Sequence, residues 1–377
     1  MKTLTDIQAL KGVRVLVRCD FNVPMNGTKV ADDFRIRAAL PTIDHLRSKG
    51  AKVILISHIE SNEGDNLSLE PIAKHLNALG QAVEFIKDYT KAHEYIEHEM
   101  VDGQVILLEN LRFFEGEKAN DKKFAQELAS LADLYVNEAF PVSHRAHASV
   151  VGVPQFIPGY AGIQFEKEVK NLSRAFNAPH PFLFILGGAK FETKLPLLNK
   201  FMDSADAIFV GGALANDLLK GKGYEVGRSL VSKGDIDLSP FLASPKVLIP
   251  IDVETDKKEM KPADGASPED TILDVGPKTL EMLQAKINEA KFILWNGPLG
   301  MYEDGYTGPT LELARMISEA TVRGAETIVG GGDTLAAIET LKIQDKFTFI
   351  SSGGGAMLDF LAKGTLPGIE ALNASEN

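Results

Sequence analysis

The sequence is short of cysteine, of positive charge and of long hydrophobic runs. Its one cysteine, Cys19, cannot form an internal disulfide or a zinc cluster, and its apolar surroundings predict a buried, unreactive thiol. The formal net charge of -12 argues against nonspecific binding to nucleic acid, which requires phosphate neutralisation by lysine and arginine, and against docking on an anionic membrane. Any site for an anionic substrate must therefore be a local basic patch.

No apolar run approaches the roughly 18 residues that a membrane helix needs, and residues 1–6 lack the apolar core of a signal peptide. We therefore expect a cytoplasmic protein. Hydrophobic residues make up 44% and charged residues 24% of the chain, which is enough for full cores without an indication of disorder. At about 100–200 residues per domain, 377 residues predict two domains.

Short apolar runs, turns and segments of helical period alternate along the chain, which is typical of β-α units around parallel sheets. In the first half, the predicted strands are residues 13–17, 53–56, 105–108 and 134–136, and the predicted helices are residues 35–49, 69–79 and 121–131. In the second half, the predicted strands are residues 182–186, 207–210, 247–249, 292–295, 327–329 and 347–350. Between the halves, residues 154–160 have the turn residues of a connector, and residues 164–176 predict an amphipathic joining helix.

Glycines follow the strands of the second half at five places, at the strand ends where parallel α/β sheets bind ligands. Glycine lets the backbone approach a phosphate, and the helix N-terminus that follows offers free N–H groups. The alternative is that these glycines only make tight turns, but their repetition favours a ligand site. The chain has neither the Walker-type G-x-x-x-x-G-K-[ST] motif nor G-x-G-x-x-G, so a nucleotide site here is of another type. The five places are Gly187-Gly188, Gly211-Gly212, Gly297, Gly330-Gly331-Gly332 and Gly353-Gly354-Gly355.

Three charged residues lie on this glycine-rich edge. Lys190 and Lys194 are spaced i and i+4 near a predicted helix N-terminus, where cations are unfavourable unless an anion is present. They are either a polyphosphate site or a solvated pair. Asp333 is expected at a helix N-cap, and its carboxylate could instead hold Mg²⁺ beside phosphate oxygens.

The strand ends of the first half carry basic side chains, which would converge on one rim of a doubly wound sheet. Such a rim suits a small anion with carboxylate and phosphate groups, because arginine binds both with paired hydrogen bonds. Each residue alone could be a surface ion-pair partner. The histidines lack the spacing of a zinc site, so we assign no structural metal. The residues of this rim are Arg18, Arg35, Arg37, His58, Arg112, His144, Arg145 and His147.

The chain resembles the phosphoglycerate kinases in motifs that are spread over nearly its whole length. They are Arg18-Cys19-Asp20-Phe21-Asn22-Val23-Pro24, Arg35-Ile36-Arg37-Ala38, Leu108-Glu109-Asn110-Leu111-Arg112-Phe113, His144-Arg145-Ala146-His147-Ala148-Ser149, Gly187-Gly188-Ala189-Lys190, Trp295-Asn296-Gly297-Pro298-Leu299-Gly300, Gly330–Thr334 and Gly353–Ala356.

The resemblance implies an α/β fold of two doubly wound parallel-sheet (Rossmann-like) domains, joined by a helix and a hinge, in a monomer. Residues 1–163 would bind 3-phosphoglycerate or 1,3-bisphosphoglycerate, residues 164–176 would form the interdomain helix, and residues 177–363 would bind Mg-ADP or Mg-ATP. Residues 364–377 would return to the first domain. Domain closure would then bring the substrates together and exclude water.

The resemblance also implies the site residues. Asp333 would hold the magnesium, and Glu303 would meet the ribose. Phosphoryl transfer needs positioning and positive charge rather than a general base, and Arg35, Lys190 and the backbone N–H groups of Gly354 and Gly355 would supply that charge. The implied substrate ligands are Asp20, Asn22, Arg35, His58, Arg112 and Arg145. The implied nucleotide ligands are Gly187, Lys190, Lys194, Gly211, Asn296, Glu303, Gly332, Asp333 and Thr334.

The chain departs from the family pattern after the strand that leads to His58. Where the family has Ser-His-Leu-Gly-Arg-Pro, this chain has Ser57-His58-Ile59-Glu60-Ser61-Asn62, so Glu60 replaces a glycine and Ser61 an arginine. We expect substrate binding that is weakened or reshaped, through a lost charged hydrogen bond and repulsion by Glu60. Two alternatives to an active phosphoglycerate kinase stay open: a related acyl-phosphate kinase with another carboxylate substrate, and a noncatalytic nucleotide-binding protein on the same fold.

Overall fold

A computed structural model describes residues 1–61, 63–234 and 236–375; Asn62, which ends the divergent motif, lies outside them. Contacts divide the chain into two units. The first unit comprises Met1–Lys170 and the C-terminal segment that starts at Thr365, and the second comprises Asn171–Gly364. Within the described residues, no helix is long and apolar enough to cross a membrane.

The first unit contains a six-stranded parallel sheet in the order β5-β6-β4-β1-β7-β8. Its central strands are buried along most of their length, and Val15, Leu16 and Val17 are fully buried, as expected of a parallel sheet covered on both faces. A short antiparallel hairpin, β2–β3, lies outside this sheet. The strands are β1 (Arg14–Arg18), β2 (Met25–Asn26), β3 (Lys29–Val30), β4 (Lys52–Ile56), β5 (Val83–Ile86), β6 (Val105–Leu108), β7 (Leu134–Asn137) and β8 (Gly159–Ala161).

Two helices of the first unit begin at an aspartate that caps the helix N-terminus. Asp121 accepts a hydrogen bond from the Phe124 amide at 2.8 Å, and Asp88 accepts one from the Thr90 amide at 3.0 Å, so both act as N-caps. The helices predicted over residues 35–49, 69–79 and 121–131 are confirmed within one residue at each end, whereas the helix predicted over residues 164–176 ends at Ser173. The elements β2, β3, β5, β8, α3 and α4 were not predicted. The helices are α1 (Phe34–Ser48), α2 (Glu70–Ala78), α3 (Tyr89–His98), α4 (Glu115–Lys118), α5 (Lys122–Ser130) and α6 (Ile163–Ser173), which contains the division between the units.

The second unit has a six-stranded parallel sheet in the order β11-β10-β9-β15-β16-β17 and a three-stranded antiparallel sheet in the order β13-β12-β14. The strand predictions are confirmed for the parallel sheet within two residues at each end. The antiparallel sheet was not predicted from the sequence. The strands are β9 (Phe182–Leu186), β10 (Ala207–Val210), β11 (Val247–Leu248), β12 (Asp252–Thr255), β13 (Met260–Pro262), β14 (Ile272–Val275), β15 (Phe292–Asn296), β16 (Glu326–Gly330) and β17 (Phe349–Ser351).

Helices follow the parallel strands of the second unit and cover its sheet. Trp295, at the centre of the sheet, is fully buried, and its indole Nε1 donates to the carbonyl of Gly297 at 2.9 Å. The helices are α7 (Phe191–Met202), α8 (Ala213–Gly221), α9 (Ser239–Ala243), α10 (Pro277–Glu289), α11 (Gly308–Val322), α12 (Gly332–Leu341) and α13 (Gly355–Lys363).

The last helix, α14 (Pro367–Ala374), is grouped with the first unit. Its Gly368 amide donates to the Ser143 carbonyl at 2.9 Å. A side chain at Gly368 would lie 2.8 Å from Ser143 Cβ, so glycine permits this close approach. Leu372 is buried beside Gly159. The last two residues, 376 and 377, lie outside the described range.

Candidate active site

The strand order of the first unit brings its basic side chains to one edge. Arg18 ends β1 and His58 follows β4, which pairs with β1. Arg112 follows β6, which pairs with β4. Because the carboxyl ends of parallel strands meet at one edge of a sheet, residues far apart in the sequence become neighbours there.

Arg18 is fully buried and forms the base of this edge. Its Nη2 lies 3.2 Å from His58 Nδ1, and its Nε donates to Ser149 Oγ at 2.8 Å. Ser149, in a π-helical turn over Ala148–Gly152, donates in turn to Glu117 Oε1 at 2.6 Å. Glu117 is fully buried and supplies the carboxylate of this network, so Arg18 is held in a fixed position by interactions on two sides.

Asp20, Asn22 and Arg35 form a second cluster on the same edge. Arg35 Nη1 lies 3.0 Å from Asp20 Oδ2 and 3.0 Å from the Asn22 carbonyl. The Asn22 side chain accepts from the Glu60 amide at 2.9 Å, which ties the loop after β4 to the loop after β1. Arg37 is directed elsewhere, because its Nε pairs with Asp33 Oδ1 at 2.8 Å on an exposed part of α1.

Arg112 is a buried cation that uses only some of its hydrogen-bond donors. Its side chain is fully buried, and its Nη1 lies 3.3 Å from His147 Nδ1. Its Nε and Nη2 have no hydrogen-bond partner among the described residues. Buried guanidinium donors are costly to leave unpaired, so these N–H groups mark a place for an external acceptor such as a carboxylate or phosphate.

Two histidines of this edge, His58 and His147, have pKa values below the usual range. Burial, and then the charges of Arg18, Arg112 and Arg145, hold the pKa of His58 well below its usual value. Burial, and then Arg112, lower the pKa of His147 to about 3. The exposed Arg145 lies close enough to act on both rings. The positive charge of the site therefore comes from arginine, which stays protonated, and the histidines can only serve as neutral hydrogen-bonding groups.

The glycine loops of the second unit are locked to one another by backbone hydrogen bonds. Gly187 donates to the Asn296 carbonyl at 2.8 Å, and Gly212 donates to the Leu299 carbonyl at 3.0 Å. A side chain on Gly187 would lie 2.0 Å from the Pro298 carbonyl oxygen, a distance that no Cβ tolerates. Glycine at position 187 is therefore required for the contact between these loops.

These loops surround a cavity whose lining combines apolar and acidic side chains. Leu219 and Leu299 provide apolar walls, and Glu303 and Asp333 bring two carboxylates to the same space. Asp274 also lines the cavity. It is buried, and its Oδ2 has no hydrogen-bond partner among the described residues. Burial, and then nearby Glu254, raise the pKa of Asp274 to about 7.

The two lysines predicted at this edge differ in environment. Lys190 precedes α7 as its N-cap in the left-handed region, with a φ of 65°, and lines a second cavity together with Asp217. Backbone strain of this kind accompanies functional positions. Lys194 lies within α7, and burial lowers its pKa to about 8.

The expected N-cap role of Asp333 is wrong. Gly331 occupies the N-cap position, with a φ of 106°, and Asp333 is the second residue of α12. Helix α12 begins two residues earlier than an N-cap at Asp333 would place it, because Gly331 adopts a positive φ that glycine tolerates and the residues after it are already helical. The Asp333 carboxylate is therefore free of a capping bond and is directed toward the cavity that it lines.

The remaining predicted residues of this unit support the loops. Thr334 Oγ1 accepts from the Gly297 amide at 3.0 Å, and Asn296 is buried with its Nδ2 3.8 Å from Met357 Sδ. Gly332 begins α12. Gly354 and Gly355 form the N-terminus of α13, where the first backbone N–H groups have no partner within the helix and can bind an anion.

Four further residues of these sites were not singled out as ligands from the sequence: Lys118, Glu117, Ser149 and Asp274. Lys118 Nζ lies 3.1 Å from Glu60 Oε1. Nothing in the sequence distinguishes these side chains from surface or core residues, because their neighbours in space come from other strands. Glu60 was noted, but its position 3.3 Å from Arg112 Nε could only be seen in the fold.

Comparison with known proteins shows which proteins this chain is similar to. The model of the family described as phosphoglycerate kinase matches residues 4–364. A phosphoglycerate kinase of Dictyoglomus turgidum is 44% identical, covering 98% of both chains. A solved phosphoglycerate kinase from Coxiella burnetii has a TM-score of 0.85 at 34% identity, covering 99% of this chain and 98% of the other. One from Pyrococcus horikoshii OT3 has a TM-score of 0.86 at 31% identity, covering 100% and 99%.

Proposed function

This chain belongs to the phosphoglycerate kinase family, and from that premise we propose how its residues carry out the family's reaction. The reaction is the reversible transfer of a phosphoryl group from 1,3-bisphosphoglycerate to ADP, which gives 3-phosphoglycerate and ATP in glycolysis. The enzyme is thus a phosphotransferase with a carboxyl group as acceptor, on the α/β fold that its structural relatives share.

The 3-phosphoglycerate site that we propose is the basic edge of the first unit. The observation that carries it is Arg112, whose fully buried side chain keeps two nitrogens without hydrogen-bond partners among the described residues. A substrate carboxylate or phosphate satisfies both donors. Arg145 adds exposed charge, while Asp20 and Asn22 orient Arg35 and accept hydrogen bonds from the substrate hydroxyl. His58 contributes a neutral N–H.

The ADP or ATP site that we propose is the glycine-rich edge of the second unit. The apolar cavity walls suit a purine base, and Glu303 is placed to accept hydrogen bonds from ribose hydroxyls. The N-termini of α7, α12 and α13 offer backbone N–H groups to phosphates, with charge supplied by Lys190 and Lys194. The backbone can lie close to the nucleotide at Gly187, Gly211 and Gly332, which have no side chain. Asn296 and Thr334 hold the loops in place.

Magnesium fits this site only together with a nucleotide. Within the described residues, no group of three or more histidine, cysteine, aspartate or glutamate side chains could hold a metal ion. Asp333 offers a single carboxylate at the cavity, and it does not cap the helix. Mg²⁺ is commonly held by one or two carboxylates plus phosphate oxygens, so Asp333 suits it. When bound there, the ion would neutralise charge on the nucleotide phosphates.

The chemistry asked of the protein is electrostatic. The acceptor is an ionised oxygen, so no side chain has to remove a proton. Arg35, Lys190 and the N–H groups of Gly354 and Gly355 would stabilise the negative charge of the transferring phosphoryl group. Water must be kept from the acyl phosphate, and the hinge-driven closure inferred from the family resemblance stays a prediction, as do the monomeric state and the cytoplasmic location.

The first test is ADP formation from Mg-ATP that depends on 3-phosphoglycerate, with Lys190→Ala as the inactive comparison and Lys222→Ala, an exposed lysine in the same unit, as the control. We expect turnover in the wild-type and control proteins, and a loss of about 100-fold or more in Lys190→Ala, the usual scale for removing a charge that stabilises the transition state. Turnover with another carboxylic acid, but none with 3-phosphoglycerate, would overturn the substrate assignment.

A further inference from the structure

Glu60 occupies the position of an internal counterion in the proposed substrate site. Its Oε1 lies 3.3 Å from Arg112 Nε and 3.1 Å from Lys118 Nζ. Arg112 is completely buried, while the Lys118 side chain is 61% exposed. One carboxylate oxygen is therefore shared between a buried cation of the binding edge and a solvated cation at its margin.

The backbone around Glu60 holds it beside Arg112. The Glu60 amide donates to Asn22 Oδ1 at 2.9 Å, and Glu60 forms an isolated antiparallel bridge with Asn66. Asn66 Nδ2 in turn donates to the Arg112 carbonyl at 2.9 Å. The loop that carries Glu60 thus also contacts the backbone of Arg112 through Asn66. These backbone contacts keep the Glu60 carboxylate near the Arg112 guanidinium.

The pairing with Arg112 is electrostatic but incomplete. Arg112 Nε makes no hydrogen bond with proper geometry despite its 3.3 Å distance from Glu60, and Nη2 also has no partner among the described residues. Glu60 thus offsets the buried positive charge without using the donors of the guanidinium. A substrate anion would make better hydrogen bonds with the same group, but it would meet the negative charge of Glu60.

We propose that Glu60 tunes the affinity of the substrate site by competing with the substrate anion for Arg112, and that Lys118 alone holds the Glu60 carboxylate when the anion binds. This inference rests on the proposed 3-phosphoglycerate site. The exposed ammonium of Lys118 remains a partner for the Glu60 carboxylate after the carboxylate has left Arg112. Displacing Glu60 from Arg112 therefore costs less free energy than it would if the carboxylate had only water as its new partner. Glu60 thereby sets the affinity of the site for its anion without taking part in phosphoryl transfer.

The test measures 3-phosphoglycerate binding by calorimetry in the absence of nucleotide. We expect Glu60→Gln to lower the dissociation constant about three- to tenfold, the scale expected for loss of a partly buried opposing charge. The KM for 3-phosphoglycerate should fall in parallel, while kcat and the KM for ATP stay unchanged. Glu63→Gln, an exposed neighbour on the same loop, is the matched control and should bind as the wild type does.

A double-mutant cycle separates the role of Lys118 from direct substrate binding. Lys118→Met should weaken binding in the wild-type background, because Glu60 loses its second partner, and should have no effect in the Glu60→Gln background. An equal loss in both backgrounds would instead make Lys118 a substrate ligand. If Glu60→Gln weakens binding, Glu60 positions Arg112 and the competition model is wrong.

Arg112→Lys distinguishes failure of this inference from failure of the proposed function. A large rise in the dissociation constant for Arg112→Lys, with no change for Glu60→Gln, would overturn the competition while leaving the substrate site intact. If Arg112→Lys also binds 3-phosphoglycerate as the wild type does, the proposed substrate site itself is wrong.

Discussion

Arg18 Nη2 and His58 Nδ1 lie 3.2 Å apart in a fully buried setting. A guanidinium only donates hydrogen bonds, so Nδ1 must accept and the imidazole must carry its proton on Nε2. Burial and the adjacent Arg18 lower the pKa of His58 well below its usual value. The pair thus holds the histidine neutral and fixes which nitrogen can donate to a substrate.

We therefore predict that His58 stays the neutral Nε2–H tautomer as the pH falls from about 8 to about 5, a range in which an exposed histidine becomes charged. The measurement is nitrogen-15 NMR of the imidazole, with His58→Gln used for assignment and the exposed His98 as an internal reference. An imidazolium signal from His58 near pH 6 would contradict this arrangement.

Nucleotide binding should take up a proton near pH 8. Burial lowers the pKa of Lys194 to about 8, so part of the population is neutral there. A bound polyphosphate favours the charged ammonium and raises that pKa. Affinity for ADP should consequently fall as the pH rises through about 8.

Calorimetry in two buffers of different ionisation enthalpy measures this proton uptake directly. Lys194→Arg should abolish it, because arginine stays charged, while the exposed Lys222→Arg should retain it. Proton uptake that persists in Lys194→Arg would assign the effect to another group.

Asp274→Asn should stabilise the free protein more at high pH than at low pH. The pKa of Asp274 is raised from 3.8 to about 7, so ionisation favours the unfolded chain. Its stabilising effect is complete below the unfolded pKa and is lost as the pH rises through the folded pKa. Asparagine does not ionise, so the variant does not lose stability in this way as the pH rises. Its side-chain oxygen can still accept the hydrogen bond from the Val275 amide.

The difference in unfolding free energy between Asp274→Asn and the wild type should grow by about 2–3 kcal/mol from about pH 5 to about pH 8, following the linkage between pKa and stability. Denaturant unfolding of both proteins measures it, with the exposed Asp304→Asn as the control. A difference that stays constant with pH would show that Asp274 titrates normally.

Ser61→Arg should lower the KM for 3-phosphoglycerate, because it restores a cation beside the binding edge. The Ser61 hydroxyl accepts hydrogen bonds from the amides of Glu63 at 3.2 Å and Asp65 at 3.0 Å. Loss of this hydroxyl should therefore lower the free energy of unfolding by about 1–2 kcal/mol. Ser61→Ala separates the two effects, since it loses the hydrogen bonds without adding charge. An unaltered KM in Ser61→Arg would refute the importance of this departure from the family pattern.

Gly187→Ala should impair nucleotide binding while leaving 3-phosphoglycerate binding intact. Its Cβ would lie 2.0 Å from the Pro298 carbonyl oxygen, so the loops after β9 and β15 must separate. Gly308→Ala is the matched control, because its added Cβ meets no described atom within 4 Å beyond its chain neighbours and the backbone of its own helix. Binding titrations of each ligand measure the outcome, and a normal ADP affinity in Gly187→Ala would contradict the proposed role of these loops.

Local sequence was sufficient wherever burial is continuous along a strand. The runs Val105–Leu108 and Phe182–Leu186 match their strands residue for residue, because a strand covered on both faces is apolar throughout. The antiparallel sheet gave no such signal, since β13 alternates between exposed and half-buried residues over only three positions. The N-cap of α12 was predicted at Asp333, two residues too late, because the backbone conformation of Gly331 cannot be read from a run of three glycines.

The sequence by itself determined the two-domain α/β class, the family and the set of basic and glycine-rich strand ends, because these follow from composition, period and contiguous motifs. Only the tertiary structure decided which charges meet. Glu60 follows β4 and Arg112 follows β6, and they become an ion pair because those strands are adjacent in the sheet. Likewise, the pKa of Asp274 is raised because β14 places this carboxyl in a buried position at a cavity wall. Charge and desolvation depend on distance in space, which the order of residues along the chain does not contain.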